Sequence, residues 1–342
     1  MLNTKKLGGS SRMQGFTSQY AIYIVLVLLV IGITIYNPSF LSIDSLRNIL
    51  IQSSTRAIIA LGVAFILITA GTDLSAGRIV GLTAVVSASM LQTATYANRF
   101  FPDLPQLHVI VPIILAILVG LLCGLVNGLV VAKLNVPPFI ATLGTMVAVY
   151  GLNSMYFDMD PNNSQPIGGL RKDFTNIGSG SIGSGQYSVP YIVLIAIFVA
   201  FIVWVIFNKT KLGKNMYAIG GNVQAAKVSG INVAKYLIYI YMIAGALYGL
   251  AGVLEASRTG GATNNYGNMY ELDAIAACVV GGVSTTGGIG TVPGVMVGVL
   301  IFTIINYGLT FIGISPYWQL IVKGLIIVAA VAFDMRKYAA KK

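Results

Sequence analysis

The stretch VIVPIILAILVGLLCGLVNGLVVAK, residues 109–133, carries no charge until it ends at Lys133. As a helix rising ~1.5 Å per residue, 109–132 reaches about 36 Å, enough to cross a hydrocarbon core of about 30 Å. Asn127 is its one strongly polar side chain, so no face of this helix is built to meet water. Working outward, comparable apolar runs occupy about 20–36, 50–70, 78–97, 138–157, 189–207, 236–256, 291–312 and 317–333. The chain of 342 residues is 56% hydrophobic and only 9% charged. Soluble domains carry about 25% charged residues, so this surface cannot face water all round. The 39 glycines fit helices whose backbones approach closely inside a bilayer.

One further apolar stretch, 272–283, is short. At ~1.5 Å per residue it reaches only about 18 Å, so it either begins nearer Tyr270 or is a broken, re-entrant helix packed inside the protein. Counting it gives an all-α, polytopic integral membrane protein of about ten transmembrane helices. The first run, 20–36, follows Lys5, Lys6 and Arg12 as a signal peptide would. It exceeds a signal core of about 7–15 residues, lacks a small-x-small cleavage site, and is read as a retained span.

The formal net charge of +11 follows the same topology. Threading the spans puts Lys5, Lys6, Arg12, Arg78, Lys133, Lys209, Lys211, Lys214, Lys227, Lys235, Arg336, Lys337, Lys341 and Lys342 on one side. Asp44, Asp103, Asp158, Asp160, Asp173, Glu255, Glu271 and Asp273 fall toward the other, with Arg47, Arg56, Arg99, Arg171, Lys172 and Arg258. An excess of Lys and Arg marks the cytoplasmic face, which places both termini inside. The segment 208–235 is then a cytoplasmic loop, and the Gly-, Ser- and Asn-rich segment 158–188 an outer, periplasmic loop expected to lack a core. The basic balance is topological and implies no nucleic acid. A weak internal echo pairs TAGTDLSAG (69–77) with VGGVSTTGG (280–288), and NGLVVAKLNVPPF (127–139) with NYGLTFIGISPYW (306–318). It reads either as a transporter repeat or as chance likeness among glycine-rich spans.

Catalytic signatures are missing. No GxxxxGK[S/T] phosphate loop occurs, nor HExxH, paired cysteines or a Ser/His/Asp set. Cys123 and Cys278 sit in apolar surroundings and His108 has no cluster around it, so no metal site is expected. Energy for transport must come from an ion gradient or a partner. Within LGKNMYAIGGNVQAAKVSGI (212–231), Asn222 suits the N-cap of a short helix Val223–Val228, and Gly230 suits its left-handed C-terminal residue. So short a helix is marginal alone in water. It reads as a docking element for another protein, or else as a solvated basic loop.

Five stretches together resemble the ribose/galactose-type sugar permeases, the membrane subunits of ATP-binding-cassette importers. They are NPSFLSIDSLRNILIQSS (37–54), ALGVAFILITAGTDLSAGR (60–78), NGLVVAKLNVPPFIATLGTM (127–146), GKNMYAIGGNVQAAKVSGINV (213–233) and ELDAIAACVVGGVSTTGGIGT (271–291). The details GTDLSAGR, TNNYGNMYELDAIAACVVGG and SPYWQLIVKG are similar to the galactose/methyl-galactoside branch rather than the ribose branch, which more often reads GIDLSVG. The resemblance implies one permease domain over 1–342 in a bacterial inner membrane, paired with a second copy of itself. It implies no cofactor on this chain: ATP binds two copies of a cytoplasmic ATPase, or one tandem ATPase, and a periplasmic galactose-binding protein delivers the sugar. Gly213, Lys214, Gly220, Gly221, Asn222, Ala225, Ala226, Ser229 and Gly230 are carried over as the coupling segment.

Sugar hydroxyls left unpaired in an apolar medium cost a few kcal/mol each, on the order of 2–7, so a pathway must be polar. Asn127, Asn153, Asn306, Tyr307 and Gln319 are candidates to line it, or equally to bond helix to helix. Asp73, Glu271 and Asp273 lie in or beside spans, where ionisable groups suggest function. Capping is the favoured alternative, with Asp73 on the third span and Asp273 on the eighth element. Lys323, within the last run, either snorkels outward or faces a dimer seam. A gradient-driven symporter using those carboxylates, a membrane-embedded enzyme, and a permease for ribose, another sugar or a nucleoside are the competing readings.

Overall fold

The structure, a computed structural model, describes residues 24, 26–183 and 185–339. Lys5, Lys6, Arg12, the start of the expected first span, Lys341 and Lys342 lie outside the described residues. The helices are α1 Leu26–Tyr36, α2 Ile43–Ile68, α3 Ala76–Ser89, α4 Ile110–Lys133, α5 Pro138–Phe157, α6 Lys172–Ser179 and α7 Tyr191–Lys209. They continue with α8 Lys211–Gly221, α9 Val223–Val228, α10 Val233–Thr259, α11 Tyr270–Val280, α12 Val292–Phe311 and α13 Pro316–Ala339. A single two-stranded hairpin among the described residues, β1 Ser181–Ile182 with β2 Val189–Pro190, closes the loop that follows α5.

Six of these helices, α2, α4, α5, α7, α10 and α12, are long and apolar enough to cross a membrane. Shorter apolar helices are α1, α3 and the first part of α13, Pro316–Ala329. Their outer faces carry Leu118, Leu122, Val126, Val147, Ile197, Phe198 and Phe201 in the open, a surface that only lipid or a partner can cover. The core is built on α2, buried along nearly its whole length from Ser53 to Ile68, and on α10, which packs against α2, α3 and α4. The α4–α10 contact is a glycine seam: a Cβ on Gly120 would overlap the carbonyl oxygen of Gly245, and one on Gly245 would overlap that of Gly120. Small residues at the crossing let the two backbones touch, which substitutes for the hydrophobic drive that helices lack in lipid.

Boundaries follow the expected ones where hydropathy and turn chemistry agree, as at Pro138–Phe157. Elsewhere tertiary contacts move them. Helix α2 begins at Ile43, about two turns before the apolar run, because the Ser42 hydroxyl accepts the Ser45 N–H at 3.2 Å and an exposed end tolerates Asp44 and Arg47. The run 78–97 yields a helix of only fourteen residues. It stops at Ser89 because the chain turns at Gln92, whose amide accepts Phe100 N–H (2.6 Å) and donates to Gly168 O (2.9 Å). The loop 158–188, expected to be coreless, is corrected here. It holds α6, with Phe174 wholly buried and Ile167 2% exposed. The Ser257 hydroxyl donates to Phe174 O (2.6 Å) and accepts Gly178 N–H (2.7 Å), fastening the loop to α10.

Gly245→Leu is expected to lower the thermal midpoint of the detergent-purified chain by several degrees, since overpacking costs about 1–3 kcal/mol. Gly144→Leu serves as the neutral control, because a Cβ added at that glycine meets nothing within 4 Å. Equal midpoints for the two variants contradict a packed seam.

Candidate functional site

Two breaks in the helices create the polar interior. After α2 the chain runs as non-helical backbone through Thr69–Ser75 before α3, and after α10 it does so through 260–269 before α11. The starts of α3 and α11 meet: Glu271, in the first turn of α11, sets its carboxylate against Gly77, where a Cβ would overlap both Glu271 Oε2 and the Gly267 carbonyl. Irregular backbone at such depth is tolerated only when the protein itself satisfies it. Here Asp73 Oδ1 accepts the Ser75 N–H (2.8 Å) and hydroxyl (2.6 Å), and Asn127 Nδ2 of α4 donates to the Ser75 hydroxyl at 2.9 Å. On the α5 side, Thr142 Oγ1 accepts the Leu74 N–H (3.1 Å). Asp73 therefore folds the break itself; it does not occupy the N-cap of α3, which is Ser75.

Asp273 is not a cap either. One turn into α11, its buried carboxylate pairs with Arg56 of α2 and with Lys323 Nζ of α13 at 2.8 Å. Lys323 thus turns inward to Asp273 and does not snorkel as one of its two expected readings had it. The Arg56 guanidinium also lies over the Tyr270 ring, 4.9 Å from its centroid. The Tyr270 hydroxyl donates to Glu255 Oε1 (3.2 Å), which in turn holds Arg258 Nη2 (2.6 Å). One continuous chain of charge and hydrogen bonds therefore joins α13, α11, α2 and α10. Arg56, Tyr270, Asp273 and Thr303 line a small cavity beside it, with room for about one water molecule. Thr303 is 1% exposed, and its hydroxyl has no hydrogen-bond partner among the described residues.

At the other end of α11 lies the segment 208–235. The Thr210 hydroxyl accepts Gly213 N–H (3.2 Å) to start α8, an element that its glycines disguised in the sequence. Asn222 Oδ1 accepts Ala225 N–H (2.9 Å) to start α9, and Gly230 ends it at φ +80°. These two match the expected cap and left-handed residue. Ala226 packs with Ile219 and Val233 in a small core, whereas Lys214, Gly221, Ala225, Ser229 and Val228 (91% exposed) face outward. The buried glycines 213 and 220 do the joining. A Cβ on Gly220 would overlap the carbonyl of Ile68 at the end of α2 and crowd Gly288 N, while Gly288 N–H itself donates to Ile68 O at 2.8 Å. The Tyr217 hydroxyl donates to Gly290 O (2.8 Å), and burial pushes that phenol's pKa up, so it stays a donor. The glycine-rich run 281–290 is thus a connector between α8 and α11.

The pathway candidates do not converge. Asn127 and Asn153 are buried on α4 and α5, Asn153 donating to Asn264 O (3.3 Å). The others cluster at α12 and α13: the Asn306 carbonyl accepts Thr310 Oγ1 (2.9 Å), which also reaches Gln319 Oε1 (3.3 Å). Tyr307 packs on Phe40 with its hydroxyl toward Ser45. Sequence reading placed Arg56 and Glu255 in the charge threading and Tyr270 at the start of the short element, but gave none of the three a part in an interior site. The signal for Arg56 was there, since an arginine abutting a run of apolar residues inside a long helix requires a carboxylate partner.

Residues 45–331 match the family described as branched-chain amino acid transport system / permease component. The chain belongs to this permease family. The permease is 57% identical over 324 residues to the galactose/methyl galactoside import permease of Haemophilus influenzae, covering 95% of this chain and 96% of that one. It is 53% identical to the Escherichia coli K12 protein of the same description (96% and 97% covered). It is 42% identical to the ribose import permease of Bacillus subtilis (93% and 92%). No solved structure gives a significant match.

Removing one partner of a buried ion pair strands the other charge, at a cost of about 3–5 kcal/mol. Asp273→Asn, which strands two cations, is expected to lower the permease's thermal midpoint more than Lys323→Met, which leaves the Arg56 pair. The reverse order of midpoints contradicts the shared carboxylate.

Proposed function

We infer that this chain is the transmembrane subunit of a binding-protein-dependent importer for galactose and methyl galactosides, seated in a bacterial inner membrane. The observation that carries the reading is the full-length similarity just given: two galactose/methyl galactoside import permeases exceed 50% identity, and the ribose permease stands lower. In this reading the six long helices, α1, α3, α11 and α13 make up about ten membrane segments, with both termini cytoplasmic. Segment 158–188 faces the periplasm and receives the loaded sugar-binding protein. Segment 208–235 faces the cytoplasm and couples to the ATPase.

The motor is a separate protein. Two copies of an ATP-hydrolysing subunit, or one tandem ATPase, dock on the α8–α9 knobs of a permease homodimer, and ATP binds there and not on this chain. Three features support a docking role for the knob. Its helices are capped, Ala225 and Val228 are presented outward, and its buried glycines rest on neighbouring elements, Gly213 on the end of α7 and Gly220 on the end of α2 and the 281–290 connector. A push on α8 is then felt by α11 and by Asp273. A gradient-driven symporter is the second reading, favoured by the buried carboxylates Asp73, Glu271 and Asp273.

The test is reconstitution in proteoliposomes with the cognate ATPase and binding protein. Galactose uptake that needs ATP, survives collapse of the ion gradients and exceeds ribose uptake is expected. Uptake by the permease alone, or uptake lost with the gradient while ATP remains, removes the proposal. Ala225→Glu is expected to abolish binding-protein-stimulated ATP hydrolysis with an unchanged thermal midpoint, because its side chain points away from the fold. Ala226→Glu, which buries a charge beside Ile219 and Val233, lowers the midpoint as well. Wild-type coupling in Ala225→Glu rules out the exposed face of α9 as the docking surface.

A further inference from the structure

A concave groove of about 430 Å³ runs along the outside of the permease between α4, α7 and α10. Its walls are apolar: Leu121, Val199, Ile206, Met242 and Leu250 are representative, and Leu212 from the first turn of α8 closes one end. Along α10 the lining extends from Tyr239 to Leu250, about 16 Å at ~1.5 Å per residue. That is half of a hydrocarbon core about 30 Å thick, the depth of one leaflet.

Cations gather at the end closed by Leu212. Ile206 lines the groove one turn before Lys209, and Lys211 precedes Leu212. Tyr239 lines it too, and the ammonium of Lys235 lies 5.7 Å from that ring's centroid. Lys209 lies 5.8 Å from the centroid of Trp204. Lys209, Lys211 and Lys235 are exposed, and none belongs to an ion pair among the described residues. Nor does the sequence offer them an acid, since residues 174–254 contain no Asp or Glu. An apolar channel of leaflet depth ending in unneutralised lysines, two of them over the aromatic rings of Tyr239 and Trp204, is complementary to an acyl chain under an anionic headgroup. A second copy of the same face is a poor occupant. A two-fold contact there sets lysines against lysines with no acid on either side.

We propose that the groove binds one anionic phospholipid of the inner leaflet, its acyl chain against α4, α7 and α10 and its phosphate on Lys209, Lys211 and Lys235. Because Leu212 belongs to α8, the bound lipid braces the first turn of the knob against α7 and α10. The site rests on the inward orientation of 208–235 but not on the identity of the sugar.

The experiment is native mass spectrometry of the full chain released from nanodiscs containing phosphatidylglycerol or phosphatidylcholine. One phosphatidylglycerol per chain is expected to survive activation that strips phosphatidylcholine. Replacing Lys209, Lys211 and Lys235 by Gln is expected to reduce that retention at least about tenfold, as each lysine near a headgroup contributes several-fold. Ala246→Trp, which fills the groove, is expected to abolish it, with Phe198→Trp on the open lipid face as the control. The lysine variant carries the test should Ala246→Trp fold poorly. Equal retention of the two lipids, a preference unchanged in the lysine variant, or efficient disulfide capture of two copies through Ala246→Cys each overturns the proposal. None of these outcomes bears on whether the importer carries galactose.

Discussion

The space between α2, α10 and α11 is largely buried, so the charged groups that enter it are held by partners within the chain. The requirement explains features that hydropathy alone leaves unconnected. Arg56 is held by Asp273, and Asp273 also holds Lys323, so three helices far apart in sequence share one carboxylate. Where α2 and α3 part, the exposed backbone is met by Asp73, Ser75, Asn127 and Thr142. The polar interior is therefore a consequence of the breaks, and the breaks survive because the interior supplies what they lack.

The same arrangement gives the permease a structural route between its two faces. The knob formed by α8 and α9 sits on the end of α2 and on the 281–290 connector; that connector continues α11, and α11 carries Asp273 and Glu271 to the level where α3 begins. Few side chains intervene. From there Arg56, Tyr270 and Glu255 extend the path to Arg258 in the last turn of α10. Contiguity of this kind is one physical means by which a shift at one end can bias the other.

Much of this was legible in the sequence, and the residues show why. Helix α5 is bounded by Pro138, which pre-sets the first turn, and by the polar chain after Phe157, so local rules suffice. Asn222 and Gly230 bracket α9 for the same local reason. The short eighth element was visible as an apolar run too brief to span. Partnership was not visible. Asp273 reads as a cap until α2 and α13 are brought to it, and Lys323 reads as a snorkelling lysine until it is seen to turn inward. Phe174 is one aromatic in a glycine- and serine-rich loop, and only its burial against α10 marks it as an anchor. In each case the deciding contact lies tens to hundreds of positions away along the chain.

The junction of Gly220, Gly288 and Ile68 has one more implication. Packed proteins ordinarily absorb sub-ångström shifts by small torsional adjustments of side chains, but here main chain bears on main chain and no such torsions intervene. A joint of that kind has no backlash: a displacement of α8 arrives at α2 and the connector nearly undiminished. It is also unforgiving, because the smallest added methyl group wedges it open.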